Sequence, residues 1–251
     1  MNSPTFKLTP EGVPILSAEQ IDRFADQLVR EIQPELYYRQ LDAVSLSLIM
    51  KRLEGWHFAG RYLSRSGGLL GLASFQGGPL TIYDETRTFP ELLQVPPQSI
   101  LVDRELFKKE NERYFRFTLA HEMGHALLHR QFASREENMR SYQQQGNQRR
   151  LEDTAECFGI REKRELKTSY DWIEWQANTF AACLLMPKTL IRQTRNLVFS
   201  QRVPYMEFLN ELCITVMDVF RVSHRAAYYR LKAMDIAPEN CHILPNGVIV
   251  Q

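Results

Sequence analysis

The chain has 251 residues, 44% hydrophobic and 24% charged, and its acids and bases balance to a formal net charge of +1. Such a chain buries a sizeable core, as one compact unit or one domain with an appendage. The near-neutral balance gives no strong pull toward nucleic acid or anionic lipid, and no apolar run approaches the ~20 residues that cross a bilayer. Met1 to Lys7 lacks the charged and apolar regions of a signal peptide, so a cytoplasmic location is expected.

In chain order, Ser17-Ala18-Glu19-Gln20 reads as a capping box opening a helix whose stripe includes Ile21, Phe24, Ala25 and Leu28. A second helix is expected from Asp42 to Leu53. The period then changes. Phe58–Leu63, Leu69–Phe75, Leu80–Tyr83 and Ile100–Val102 read as short strands separated by glycine and proline turns. Helices dominate from Asn111 to Ala233.

The most informative stretch opens that helical half. Phe117-Thr118-Leu119-Ala120-His121-Glu122-Met123-Gly124-His125 holds a complete His-Glu-x-x-His pattern. Residues four apart share a helix face, so His121 and His125 can close on one metal ion with Glu122 beside the open coordination position. Zinc lowers the pKa of a bound water from ~15.7 to ~7, and a neighbouring carboxylate takes its proton. Tyr114, Phe117, Leu119, Leu127 and Leu128 give the pattern of a buried helix, where two histidines and a glutamate are costly without partners. His129 lies ~6 Å further along the axis, and one ion is not expected to take all three imidazoles. It reads as a support for a ligand or as a structural residue.

A catalytic zinc of this kind needs a third protein ligand. The run from Trp172 to Pro187 carries Ala177, Phe180, Ala181, Leu184 and Leu185 at helical spacing, and Pro187 marks the end of that helix or the start of the next. Glu174 falls on the same stripe as Ala177, Asn178 and Ala181, which coordination would explain. Asn178, one turn later, can fix the tautomer of a ligating imidazole. Asp171 suits the N-terminal cap or a charge on the helix dipole. Mixed nitrogen and oxygen ligands favour one zinc per chain, with manganese or cobalt as substitutes.

The blocks Arg116–His129 and Glu174–Pro187 resemble the two signatures of the ImmA/IrrE metallopeptidases. That resemblance implies His121, His125 and Glu174 as zinc ligands and Glu122 as the general base. It also implies a zincin-like fold and a protein substrate of the helix-turn-helix repressor type. The stretch between His129 and Trp172 is longer than the family pattern implies. Its part from Ser141 to Arg150 is polar and glutamine-rich, and reads as a surface insertion or, in a sharper reading, as a lid. Tyr170, His224, Tyr228, Tyr229 and Arg230 are candidate donors to a developing oxyanion.

The segment Leu212–Leu231 reads as helix, short turn, helix, with Ser223 as the second N-cap. It resembles a helix-turn-helix, so a DNA-binding or sensor protein with a zinc site and no proteolysis is the alternative. Arg221, Arg225 and Arg230 are its basic residues, without a flanking basic arm. Cys157, Cys183, Cys213 and Cys241 are dispersed and read as thiols, with Cys183 in the core.

The expected architecture is therefore α+β. A mostly helical, zincin-like metallopeptidase domain with a small β-sheet covers residues 1–199, with 131–169 as a polar insertion. A C-terminal helical, helix-turn-helix-like segment, 200–251, packs on it. The expected function is zinc-dependent hydrolysis of a peptide bond in a protein substrate; oligomeric state is not legible.

Overall fold

The computed structural model describes residues 6–39, 41–135, 166–199 and 203–251. The architecture is α+β, helices surrounding small sheets. The chain opens with α1 (Ala18–Ile32), started by the Ser17–Gln20 capping box and burying Ile21, Ala25, Leu28 and Val29. Short helices α2 (Glu35–Tyr38) and α3 (Leu46–Met50) follow.

Helix α3 is shorter than the Asp42–Leu53 span the sequence suggests, and a side chain holds the backbone at its start. The Ser45 N–H donates to Gln33 Oε1 at 2.8 Å, and the Ser45 carbonyl accepts from Gln33 Nε2 at 3.2 Å. That pairing holds Ser45 extended at φ −77°, ψ 103° and places the helix start there.

Three strands form the sheet beside the helices. β1 (His57–Arg61) and β2 (Gly71–Ser74) flank the fully buried β5 (Ser99–Asp103) in the order β1-β5-β2. β1 runs parallel to β5 with His57 opposite Ser99, and β2 antiparallel with Gly71 opposite Val102. β3 (Gly78–Tyr83) and β4 (Pro90–Val95) make a separate antiparallel pair. Sequence patterning missed β4, since Pro90 opens it and Pro96-Pro97 closes it, and proline in a short run argues against a strand except at an edge.

Two 3₁₀ turns, Arg104–Phe107 and Lys109–Asn111, lead from β5 into α4 (Glu112–Leu128). A short α5 (Arg130–Ala133) follows. The polar Ser141–Arg150 stretch and Cys157 lie outside the described residues. Helix α6 (Ser169–Leu185) starts at a second capping box, in which Thr168 accepts from the Asp171 N–H and the Asp171 side chain accepts from the Thr168 N–H. Asp171 thus sits in the first turn rather than at the N-cap itself. Pro187 stands between α6 and α7 (Lys188–Val198).

Helix α8 (Tyr205–Phe220) ends at Arg221 in the left-handed region (φ 52°). α9 (His224–Ala233) begins at once, with the Ser223 side chain accepting from the Ala226 N–H. The chain finishes with the small pair β6 (His242–Ile243) and β7 (Ile249–Val250).

One apolar core runs through these elements. It joins Ile21 of α1, Ile100 of β5, Met123 of α4, Leu184 of α6, Val216 of α8 and Leu231 of α9. Helix α4 lies at its centre and is buried from Arg116 to Leu128 apart from the half-buried Leu127. Buried polar and apolar residues alike line it, and α4 is enclosed chiefly by α6 and also by β2 and β5. Among the described residues no helix is long and apolar enough to cross a membrane.

Candidate metal centre

Close approach of α4 and α6 makes the centre, and Gly124 permits that approach. A Cβ at Gly124 would stand 3.1 Å from Phe180 Cδ1 and 3.2 Å from Ala177 Cα, close enough that the neighbours would have to give by a few tenths of an ångström. Gly124 lies between His121 and His125 in the sequence, and Ala177 between Glu174 and Asn178. The contact therefore presses the polar faces of both helices together.

His121, His125 and Glu174 meet there, all buried, with one ligand atom from each lying within 4.8 Å of the others. The two Nε2 atoms are 3.0 Å apart. Glu174 places Oε2 3.5 Å from His121 Nε2 and Oε1 3.3 Å from His125 Nε2. Ligands at zinc-bond lengths of ~2.0–2.2 Å around a tetrahedral ion stand about 3.3–3.5 Å from one another. The three observed separations fall close to that edge length, and two imidazoles with a carboxylate are a donor set that suits zinc. The residues present fit a divalent cation.

Each imidazole is oriented through its other nitrogen. His121 Nδ1 lies 2.8 Å from Asn178 Oδ1, the partner its spacing on α6 suggests. An amide oxygen accepts, so His121 carries its proton at Nδ1 and keeps a lone pair at Nε2. His125 Nδ1 lies 3.0 Å from Nδ1 of His129, which stands outside the triad. Burial pushes the His129 pKa well below the ordinary histidine value, the neighbouring His125 adds to this, and the bond to Gln176 opposes it.

Glu122 follows His121 on the same helix and packs against strand β2. A Cβ built on Gly71 would fall 2.6 Å from Glu122 Oε1 and 2.7 Å from Thr118 Cγ2. Only a residue without a side chain lets β2 lie so close to that carboxylate. Gly71 is invisible to motif reading, because strand–helix packing creates its importance. Gln176 and Pro14, bonded to each other beside His129, escape it for the same reason.

The candidate oxyanion donors scatter. Tyr228 is buried and its hydroxyl donates to the Cys241 carbonyl. Arg230 is buried in an ion pair with Asp22 at 2.6 Å and donates to the Met186 carbonyl at 3.1 Å. Those two side chains serve packing, in contrast to the sequence expectation. Tyr229 stacks against Tyr228 and under Arg225, and His224 lies against Gly247 in the turn between β6 and β7. Tyr170, one turn before Glu174 on α6, packs against the cluster of Val13, Phe132 and Ile173.

Of the basic residues of the C-terminal helix pair, Arg221 and Arg225 are exposed and Arg230 is not. Arg221 faces Glu112 at 3.5 Å and Asp42 at 3.8 Å, and Arg230 is buried. Cys183, Cys213 and Cys241 are buried free thiols, and burial pushes Cys183 and Cys213 up to about 12.

A buried two-histidine, one-carboxylate set on two packed helices defines a candidate metal-dependent hydrolase centre in an α+β fold. Residues 150–232 match the family model Peptidase_M78, described as the IrrE N-terminal-like domain. The description is that of the ImmA/IrrE family the two sequence blocks resemble, and the match covers the second block but not Arg116–His129. The matched stretch carries Glu174 and Asn178 on α6 and runs into α9; α4 precedes it. No curated protein matches the chain significantly.

Proposed function

We propose that this protein is a zinc-dependent endopeptidase of a zincin-like kind, acting inside the cell on a protein substrate, with a helix-turn-helix repressor as the favoured class. The observation that carries the reading is the convergence of His121, His125 and Glu174 from two helices, with Glu122 adjacent. His121, His125 and Glu174 would hold the ion. Bound there, zinc supplies Lewis-acid polarisation of the scissile carbonyl and acidifies a water.

The chain's own residues do the rest. Glu122 takes the proton of the attacking water and hands it to the leaving amine, a general acid–base role worth ~10²–10⁴ in rate. Asn178 keeps His121 in the tautomer that presents Nε2. Among the described residues β2 lies at the edge of its sheet, and at Gly71 it touches Glu122. An extended peptide adding to that edge would bring its backbone past the general base. Burial of Arg230 against Asp22 withdraws one of the three basic residues that the DNA-binding alternative would use, and the near-neutral net charge weighs against it too.

The test is to incubate zinc-loaded protein with a folded proteome and with peptides derived from it, reading new amino termini by mass spectrometry. The parent is expected to produce a recurrent set of termini that Glu122→Gln loses while keeping its zinc. Termini made equally by both proteins, or by neither, contradict the proposal.

A further inference from the structure

The two histidines of the triad are supported differently. His121 reaches its acceptor, Asn178, directly. His125 reaches across three more groups. Its Nδ1 is 3.0 Å from His129 Nδ1, His129 Nε2 is 3.0 Å from Gln176 Oε1, and Gln176 Nε2 is 2.6 Å from the Pro14 carbonyl oxygen. His125, His129 and Gln176 are each 1% exposed, so these bonds do not compete with water.

The far end of this chain fixes its direction. A backbone carbonyl only accepts, so the Gln176 amide must turn its NH₂ toward Pro14 and its oxygen toward His129. That oxygen accepts, so His129 carries hydrogen on Nε2. A neutral ring protonated there has its lone pair at Nδ1, which faces His125 Nδ1. His125 must then carry its hydrogen at Nδ1, leaving the Nε2 lone pair directed toward His121 and Glu174.

The anchor is held in place by its own turn. Gly12, at φ +90°, packs against the Gln131 carbonyl, and the Thr9 N–H bonds to the Val13 carbonyl at 2.8 Å. Val13 inserts beside Phe132 and Ile173. Reversing the relay would leave two acceptors facing each other at the Pro14–Gln176 contact, at the cost of a buried hydrogen bond.

We propose that the Pro14 carbonyl, Gln176 and His129 form a polarised hydrogen-bond relay that sets the tautomer of His125 and keeps its Nε2 as a metal-directed lone pair. His129 and Gln176 are positioning residues, and the N-terminal turn is part of the metal centre's support. Both Nε2 lone pairs then point at one spot, which is favourable when a cation sits there. The inference rests on reading His121, His125 and Glu174 as the metal site.

Long-range ¹H–¹⁵N spectra of the imidazoles in the full-length, metal-free parent test the relay without needing zinc. His129 is expected as the neutral Nε2–H tautomer and His125 as Nδ1–H; an Nδ1–H or doubly protonated His129 overturns the proposal. Zinc affinity, read by competition with a chromophoric chelator, provides the second arm. Gln176→Leu, which removes the acceptor, should weaken zinc roughly ten- to hundredfold and admit the other His129 tautomer. Parent-like tautomer and affinity in Gln176→Leu would overturn the relay. A parent that takes up no zinc refutes the metal-site reading instead, and the metal-free spectrum still decides the relay.

Discussion

At Gly71 a single missing methyl group sets the position of the proposed general base. Adding it would bring a carbon within 2.6 Å of Glu122 Oε1 and 2.7 Å of Thr118 Cγ2. The carboxylate must move, and misplacing a reacting group by about 1 Å costs on the order of 10²-fold in rate. Gly71→Ala is therefore expected to lower turnover about that much with zinc affinity within twofold of the parent, measured by steady-state cleavage and chelator competition. Loss of zinc together with activity would place the damage elsewhere. Asn178→Leu should do the reverse, weakening zinc about tenfold by releasing the His121 tautomer. The triad was legible in the sequence, because fixed spacing on one helix brings His121 and His125 together and a carboxylate on an apolar stripe demands a partner. Gly71, Gln176 and Pro14 were not, since their roles arise from contacts between elements far apart in the chain.

Helix pairing governs the next scale. α4 and α6 meet at Gly124, where Phe180 and Ala177 leave little room for a side chain. Gly124→Val should force the helices apart and cost about 1–3 kcal/mol, seen as a lower urea midpoint, and should weaken zinc because Glu174 retreats with α6. Unchanged stability would mean that the contact is slack. The start of α6 is a separate device. Thr168→Ala removes the cap that accepts from the Asp171 N–H at 3.0 Å and should cost about 1 kcal/mol in the same assay. The Ser17 capping box, the buried character of α4 and four of the strands were readable, since each has a local pattern, whereas the Thr168–Asp171 box at the start of α6 was read only as a cap or dipole charge on Asp171. The start of α3 was not, because Gln33, twelve residues away, takes the Ser45 backbone groups. The strand β4 was hidden by its flanking prolines.

Across the whole molecule, the first and last helices close on one another. Asp22 of α1 and Arg230 of α9 form a buried ion pair at 2.6 Å, and Arg230 also donates to the carbonyl of Met186, just past the end of α6. Removing one partner of such a pair leaves a buried charge uncompensated, typically about 3–5 kcal/mol. Arg230→Met should therefore lower stability by an amount in that range, whereas a surface change such as Arg225→Met should not. The shared core extends this dependence. Val216, Phe220 and Leu231 belong to the same apolar cluster as Ile21 and Leu185. A chain stopped at residue 199 is expected to lose cooperative unfolding, although the sequence alone suggests a boundary there.

The central claim is that two histidines and a glutamate from α4 and α6 hold one catalytic ion. Calorimetric titration of the metal-free protein with zinc tests it most directly, with the parent and Glu174→Ala side by side. One ion per parent chain, bound at least tenfold more weakly in the variant, is the predicted result. No binding by the parent, or equal affinity in both, would contradict the account.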